Sequence, residues 1–180
     1  MSTTGRDPLL MAAETVRYEI AGYRPGALAA IVGLHAGYYA RHWNFGLPFE
    51  TKVGAELAEF LARHDAERDL FLVAYLDGDA VGSVIIDQTG GGSQGAHLRW
   101  FIVGEQMQGK GLGADLLGRA VGFCDERGYE RIWLTTFAGL DAARSLYERF
   151  GFSLTGETET DQWSGGVTEQ IFERLLPVRR

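Results

Sequence analysis

Apolar residues recur at helical spacing in two stretches of the amino-terminal half. Behind Pro25-Gly26, the residues Leu28, Ile31, Val32, His35, Tyr38 and Tyr39 share one face, which predicts a first helix rich in aromatic side chains. Behind the Leu47-Pro48 break, Val53, Leu57, Phe60 and Leu61 repeat the pattern and predict a second helix from about Glu50 to His64. Alternation over Val16 to Ile20 suggests a strand ahead of both. The period then changes from helix to strand. Asp69 to Leu76 and Ala80 to Ile86 read as strands joined across Asp77-Gly78-Asp79, a hairpin signal because glycine tolerates the positive φ of a tight turn. Gly90-Gly91-Gly92 reads as a flexible loop and His97 to Val103 as a third strand of the meander. Leu117, Ala120, Val121 and Cys124 mark a helix from Leu112 to Arg127, stopped by Gly128. Arg131 to Thr136 is the next strand, Ala142 to Phe150 a shorter helix ended by Gly151, and Phe152 to Thr158 and Val167 to Leu175 the closing strands.

This order predicts an α+β fold: a mixed, mostly antiparallel sheet of about seven strands with helices on both faces. The 180 residues, 46% of them hydrophobic, suit one core and one domain spanning 1–180, with 1–14 as a loosely ordered leading segment. Charge narrows the partners. Seventeen basic against 24 acidic residues give −7, which disfavours nucleic acid and anionic lipid surfaces. The longest apolar run, Leu70 to Leu76, is far below membrane-spanning length, and no signal-peptide pattern opens the chain. The single cysteine, Cys124, makes no internal disulfide, and together these features predict a cytoplasmic protein. No Cys/His spacing suggests a metal site, and no G-x-S-x-G turn supports a hydrolase triad.

The candidate chemistry lies after the His97 to Val103 strand. Gly104-Glu105-Gln106-Met107-Gln108-Gly109-Lys110-Gly111-Leu112-Gly113-Ala114 leads straight into a helix. Glycines let backbone approach a ligand, and the free N–H groups of a helix start face anions with the positive end of the helix dipole. A plain tight connection needs fewer glycines. Three phosphate ligands compete. Gly104, Gly109 and Lys110 fit a nucleotide-binding P-loop until Gly111 replaces the Ser or Thr that holds magnesium. Gly109 to Ala114 fits the dinucleotide form G-x-G-x-x-A, but a meander precedes it, and the next strand ends in Thr135-Thr136 without the expected acidic residue. The third ligand is the pyrophosphate of coenzyme A.

Gln108-Gly109-Lys110-Gly111-Leu112-Gly113 resembles the [R/Q]-x-x-G-x-[G/A] acetyl-CoA signature of GNAT acetyltransferases, at the expected place between strand four and helix three. Ala143-Arg144-Ser145-Leu146-Tyr147-Glu148-Arg149-Phe150-Gly151-Phe152 is similar to the family's second signature, A-x-x-L-Y-x-x-x-G-F. One position departs: the Asn often found three residues before that alanine is Leu140 here. The aromatic first helix and the stretch from Trp43 to Glu50 look like the GNAT halves of bacterial fusion proteins that carry a MarR-type regulator in front, and no such regulator half is expected within these residues.

The resemblance implies a GNAT fold whose sheet splays at strands 4 and 5, and acetyl-CoA as acyl donor with no metal. Its pantetheine arm would lie along Phe101, Ile102 and Val103, and its pyrophosphate on Gln108, Gly109, Lys110, Gly111, Leu112, Gly113 and Ala114. An amine attacking a thioester needs a lone pair, oxyanion stabilisation and a proton for the departing thiolate. The resemblance makes Tyr147 the acid, though Ala143, Leu146, Tyr147 and Phe150 also share a packing face. Tyr38, Trp43, Glu50 and His97 are the candidates for acceptor contact, with Glu50, His97 or a water chain as base. The implied activity is N-acetylation of a small-molecule amine. Acetylation of a protein N-terminus or lysine, and a non-catalytic acyl-CoA sensor, remain open alternatives. A homodimer that pairs or swaps the last strand is compatible with the pattern.

Overall fold

The computed structural model describes residues 17–88, 95–159, 162–163 and 166–176. The expected leading segment 1–14 and the Gly90-Gly91-Gly92 loop lie outside them. The elements run β1 (Glu19–Ala21), α1 (Ala27–Trp43), α2 (Leu47–Arg63), β2 (Leu70–Leu76), β3 (Asp79–Asp87), β4 (Ala96–Val103), a 3₁₀ turn (Glu105–Met107), α3 (Leu112–Arg127), β5 (Arg131–Phe137), α4 (Asp141–Arg149), β6 (Ser153–Thr158) and β7 (Glu169–Leu175). The order matches the hydrophobic pattern, with one informative shift. Helix α2 starts three residues ahead of Glu50, because Pro48 sits in its first turn rather than before it. The proline ring fixes a helical φ there and lacks an N–H the first turn leaves unpaired anyway.

The seven strands form one sheet in the order β1-β2-β3-β4-β5-β7-β6, antiparallel throughout except for the parallel β4/β5 pair. Strand alternation splits the core into two layers. On one face Leu112, Leu116, Leu117, Ala120 and Cys124 of α3 pack on Val84, Ile86, Leu98, Ile132, Leu134 and Phe172. On the other, Ile31 of α1 and Phe49, Leu57 and Phe60 of α2 pack on Phe71, Val73, Ile85, Trp100 and Phe137. The Leu, Ile, Val and Phe side chains among them contribute about 1.5–3 kcal/mol each when fully buried, so the sheet is clamped from both sides.

The clamp has one gap. Strands β4 and β5 pair only at Ala96 with Ile132 and His97 with Trp133, while β5 stays in register with β7 over its whole length. The divergence coincides with a bulge in β4: Ser83 pairs with Ile102 and Ile85 with Arg99, so three steps on β4 answer two on β3. The extra residue falls at Trp100, which adopts φ 45°, and the buried Ser83 hydroxyl donates to its carbonyl at 2.7 Å. A bulge bends its own strand and sharpens the local twist. Here it accompanies the turn of the second half of β4 away from β5.

Candidate active site

Beyond the bulge, β4 keeps its pairing with β3 on one edge and faces the gap with the other. The Gly104 N–H donates to the Val81 carbonyl at 2.8 Å, so alternation turns the Phe101 and Val103 backbone groups toward the gap. The Gln108 side-chain amide donates to the Val103 carbonyl at 3.2 Å, which ties the loop to the strand end. Buried Met107 anchors the 3₁₀ turn beneath it. Gly109 and Gly111 then take φ of 72° and 86°, the left-handed region that favours glycine, and Gly111 caps α3. The first helical bond of α3 runs from Asp115 N to Gly111 O, so the N–H groups of Leu112, Gly113 and Ala114 have no partner within the helix. Gly113 also sets how closely that helix end approaches its neighbours. A Cβ there would lie 3.3 Å from Leu146 and 3.5 Å from Val103.

A cavity of about 550 Å³ follows the gap from this loop to α4, lined by Tyr38, Trp43, Phe101, Val103, Gln108 and Tyr147 among others. A smaller one of about 170 Å³ lies toward α2 and β5, where Glu56, His97, Arg99, Thr135 and Trp163 form part of its wall. Tyr39, Phe101, Thr136 and Tyr147 line both. Tyr147 is therefore the side chain of the A-x-x-L-Y segment that stands where the two spaces meet. It is 5% exposed, with ring centroids 5.9 Å from Phe101 and 6.0 Å from Phe152. Burial, with a smaller contribution from the neighbouring Tyr39, pushes its phenol above the ordinary tyrosine range, so it keeps its proton at neutral pH.

The other expected residues divide. Ile102 lines the larger cavity with its two strand neighbours, as do Gly109 and Gly113 of the loop. Leu112 points its side chain into the core, fully buried, so only its N–H is available to a ligand, and Lys110 is exposed at the loop tip. Tyr38 packs on Tyr39 and His42. Trp43 meets Phe137 edge to face at 4.7 Å, and both it and Tyr38 line the larger cavity. Leu140 precedes α4 without any side-chain cap bond and also lines that cavity. His97 stacks on Trp133 at 3.6 Å and faces the smaller cavity instead. Burial first, then the nearby Arg99, lowers its pKa to about 3, so the ring is neutral at neutral pH. Glu50 is exposed in the first turn of α2 and lines neither cavity; Lys52 and Glu56, on the same helix, line the smaller one. Their i,i+4 spacing reads in sequence as an ordinary surface pair. Among the described residues no group of three or more His, Cys, Asp or Glu side chains could hold a metal, and no helix is long and apolar enough to cross a membrane.

A sequence profile of the Acetyltransferase (GNAT) family matches residues 34–152. The chain belongs to this family. The match contains both cavities' β4 walls, the glycine loop and Tyr147, so the GNAT signature segments coincide with the gap in the sheet. No curated protein matches the chain significantly. Among solved structures, a GNAT-family acetyltransferase from Staphylococcus aureus superposes with a TM-score of 0.73 at 15% identity, covering 89% of this chain and 100% of the other. The yncA structure from Salmonella typhimurium, solved with its cofactor acetyl-CoA, gives 0.72 at 18% identity, covering 91% and 96%. The ribosomal-protein-S18-alanine N-acetyltransferase of Escherichia coli gives 0.65 at 20% identity, covering 91% and 97%. At these identities the likeness establishes a shared GNAT fold.

Proposed function

We propose that this GNAT protein transfers the acetyl group of acetyl-CoA to the primary amine of a small-molecule acceptor, by direct attack within a ternary complex. The observation that carries the reading is the pair of cavities meeting at Tyr147, one walled by the glycine loop and α4, the other by α2 and β5. Donor and acceptor then have separate approaches to one reacting point, which is what a direct transfer requires. Acetyl-CoA supplies an activated acyl group and a thiol leaving group. The N–H groups of Leu112, Gly113 and Ala114, with Gln108 and Gly109 beside them, form the site for its pyrophosphate. The gap-facing backbone of Phe101 and Val103 pairs with the pantetheine arm and offers an N–H to the thioester carbonyl. Tyr147 gives its proton to the departing sulfur. Burial raises the phenol, and it raises a thiol in the same surroundings as well, so the transfer stays matched. His97, its pKa lowered to about 3, is a poor acceptor for the amine's proton, which passes to solvent instead.

The test is the melting temperature with saturating acetyl-CoA, beside NADH and MgATP, followed by thiol release with a panel of primary amines. A ligand at a hundred times its Kd adds about 2.7 kcal/mol, or roughly 5–10 °C in a domain of this size. A shift with acetyl-CoA alone and thiol release with an amine is the expected result. No shift with acetyl-CoA, or a shift with no amine ever releasing thiol, overturns the reading.

A further inference from the structure

Two hydroxyls stand in the wall of the larger cavity without a protein partner. One is the phenol of Tyr147; the other belongs to Thr136, near the end of β5. Strand alternation decides where Thr136 points. Ile132 and Leu134 pack in the α3 layer and Phe137 in the layer of α1 and α2. Thr136 falls in step with the first two, so its side chain stands on the side of the sheet that carries Tyr147, itself part of the α3 layer. It is only 8% exposed, and its backbone is fixed opposite Gln170 in the unbroken β5/β7 ladder.

Neither hydroxyl makes a hydrogen bond to any described residue. Among the described residues, the side-chain oxygens sealed from solvent without a partner are Gln88 Oε1 and Glu169 Oε2. The Thr136 and Tyr147 oxygens are not sealed, and what they open onto is the cavity that both residues line. A nearly buried hydroxyl that no protein group satisfies is costly, and valine would give the same branched shape on a strand without that cost. The cost is offset where a ligand atom supplies the missing bond.

The opposite bank of the gap narrows which atom that is. Phe101 and Val103 turn their backbone groups toward the gap from β4, and the Phe101 ring lies 5.9 Å from that of Tyr147. Beyond His97 and Trp133 the two strands no longer pair, so a group lying between them meets β4 backbone on one side and Thr136 on the other. In the transfer reading Tyr147 serves the thioester sulfur. The other atom on which charge develops is the carbonyl oxygen. A hydroxyl rotates about its C–O bond, so its proton can follow that oxygen as the carbon turns from planar to tetrahedral.

We infer that Thr136 is a catalytic residue whose hydroxyl donates to the thioester oxygen and, with a β4 backbone N–H, forms an oxyanion site with a donor on each bank. The inference rests on the acetyl-transfer reading for its substrate. The amine nitrogen forms its bond to the carbonyl carbon, and the C=O pair moves to oxygen, where the two donors hold it. The pair then returns, the C–S bond breaks, and sulfur takes the Tyr147 proton, which solvent replaces. The nitrogen loses its extra proton to solvent, and Thr136 keeps its own throughout.

The experiment compares wild type with Thr136→Val, which keeps the branched shape and removes the hydroxyl, and with Thr136→Ser, which keeps the hydroxyl. With the best primary amine of a panel, kcat for thiol release is expected to fall roughly tenfold or more in the valine variant, while the melting temperature and its rise with acetyl-CoA are preserved. The serine variant should stay within about threefold of wild type. Valine turnover within about twofold of wild type overturns the inference, and so does a serine variant that falls as far as valine, since the methyl group would then be what matters. A second readout needs no acceptor. Acetyl-CoA isotope-labelled at its carbonyl carbon reveals the bound C=O stretch in difference infrared spectra, and loss of the donor should move that band to higher frequency with valine and not with serine. Where turnover exists the kinetic comparison decides, because a donor can tighten on the oxygen only as charge develops. If acetyl-CoA binds but no amine releases thiol from wild type, the transfer reading fails and the band decides alone. Moved by valine only, it keeps Thr136 as a donor to the thioester oxygen; unmoved, or moved equally by both variants, it overturns that contact as well. A wild-type protein that does not bind acetyl-CoA overturns both.

Discussion

The hydroxyl of Ser83 holds the feature on which the site depends. It is fully buried on β3 and donates to the carbonyl of Trp100 at 2.7 Å, the residue whose φ of 45° makes the bulge in β4. A non-glycine residue in that region is strained by about 1–2 kcal/mol and persists only where its surroundings enforce it. Ser83→Ala removes the donor and leaves the carbonyl buried, at a cost of about 1–3 kcal/mol. In a domain of this length that is a fall in melting temperature of roughly 2–10 °C, read by differential scanning fluorimetry or circular dichroism. The functional consequence is separate from the stability loss. With the bulge loosened, Phe101 and Val103 no longer present their backbone to the gap in one fixed direction, so the KM for acetyl-CoA should rise several-fold at temperatures where the variant is still folded. Ser83→Cys, a weaker donor of similar size, should fall between alanine and wild type. A melting temperature within about 1 °C of wild type together with an unchanged acetyl-CoA KM would refute the reasoning.

Three further outcomes are expected. Tyr147→Phe should lower turnover roughly tenfold or more with the acetyl-CoA thermal shift intact; unchanged turnover removes the acid role. Gly139→Ala places a Cβ 2.4 Å from the Trp43 ring at φ 100°, so it should cost about 1–3 kcal/mol and dislodge Trp43 from Phe137, visible as a lower melting temperature and a changed tryptophan emission. The pKa values of His97 and His35 are lowered to about 3 and about 4 in the fold from 6.5 when free, His35 by burial and His97 by desolvation together with the nearby Arg99. The unfolded chain therefore takes up protons that the folded chain refuses as pH falls below about 6.5, and stability should drop progressively toward pH 4. His97→Gln should flatten that slope in denaturant titrations whatever its effect at pH 7; an unaltered slope would contradict the assignment.

How much was legible in the sequence follows from how local each signal is. The strand and helix order could be read because apolar periods of 2 and 3.6 and glycine stops such as Gly128 and Gly151 act within a few residues. The glycine loop was legible for the same reason, since positive φ and a free helix start are properties of one segment. Pro48 misdirected the boundary of α2, because a proline before a helix and one in its first turn look alike in sequence. Glu50 is an acceptor-contact candidate in sequence because it follows an aromatic stretch; in the fold it lines neither cavity and sits in the first turn of α2, where an acid matches the helix dipole. The bulge at Trp100 has no sequence mark, since it depends on how Ser83 and β3 count against β4. The Asp87–Arg99–Glu56 network was invisible too, because its members sit on three elements that only the folded sheet brings together.

The same division explains why the donor is easier to infer than the acceptor. Every group proposed for acetyl-CoA lies on β4 or on the elements that follow it, within the profile match and largely within two short signatures. Backbone N–H groups do most of that work, so side-chain identity matters mainly where glycine is needed. The smaller cavity is built otherwise. Its charges come from α2, β3 and β4 at once, and each side chain is constrained by a partner far away in sequence: Glu56 by Arg99, Arg99 by Asp87, Asp87 by Arg63. Replacing any one of these changes the geometry of its neighbours, since Asp87 and Glu56 each accept from two cations, so acceptor choice in this protein should change most through coupled substitutions. Double-mutant cycles across Glu56 and Arg99 should therefore show strong non-additivity in acceptor KM, and the same cycles should be additive for acetyl-CoA.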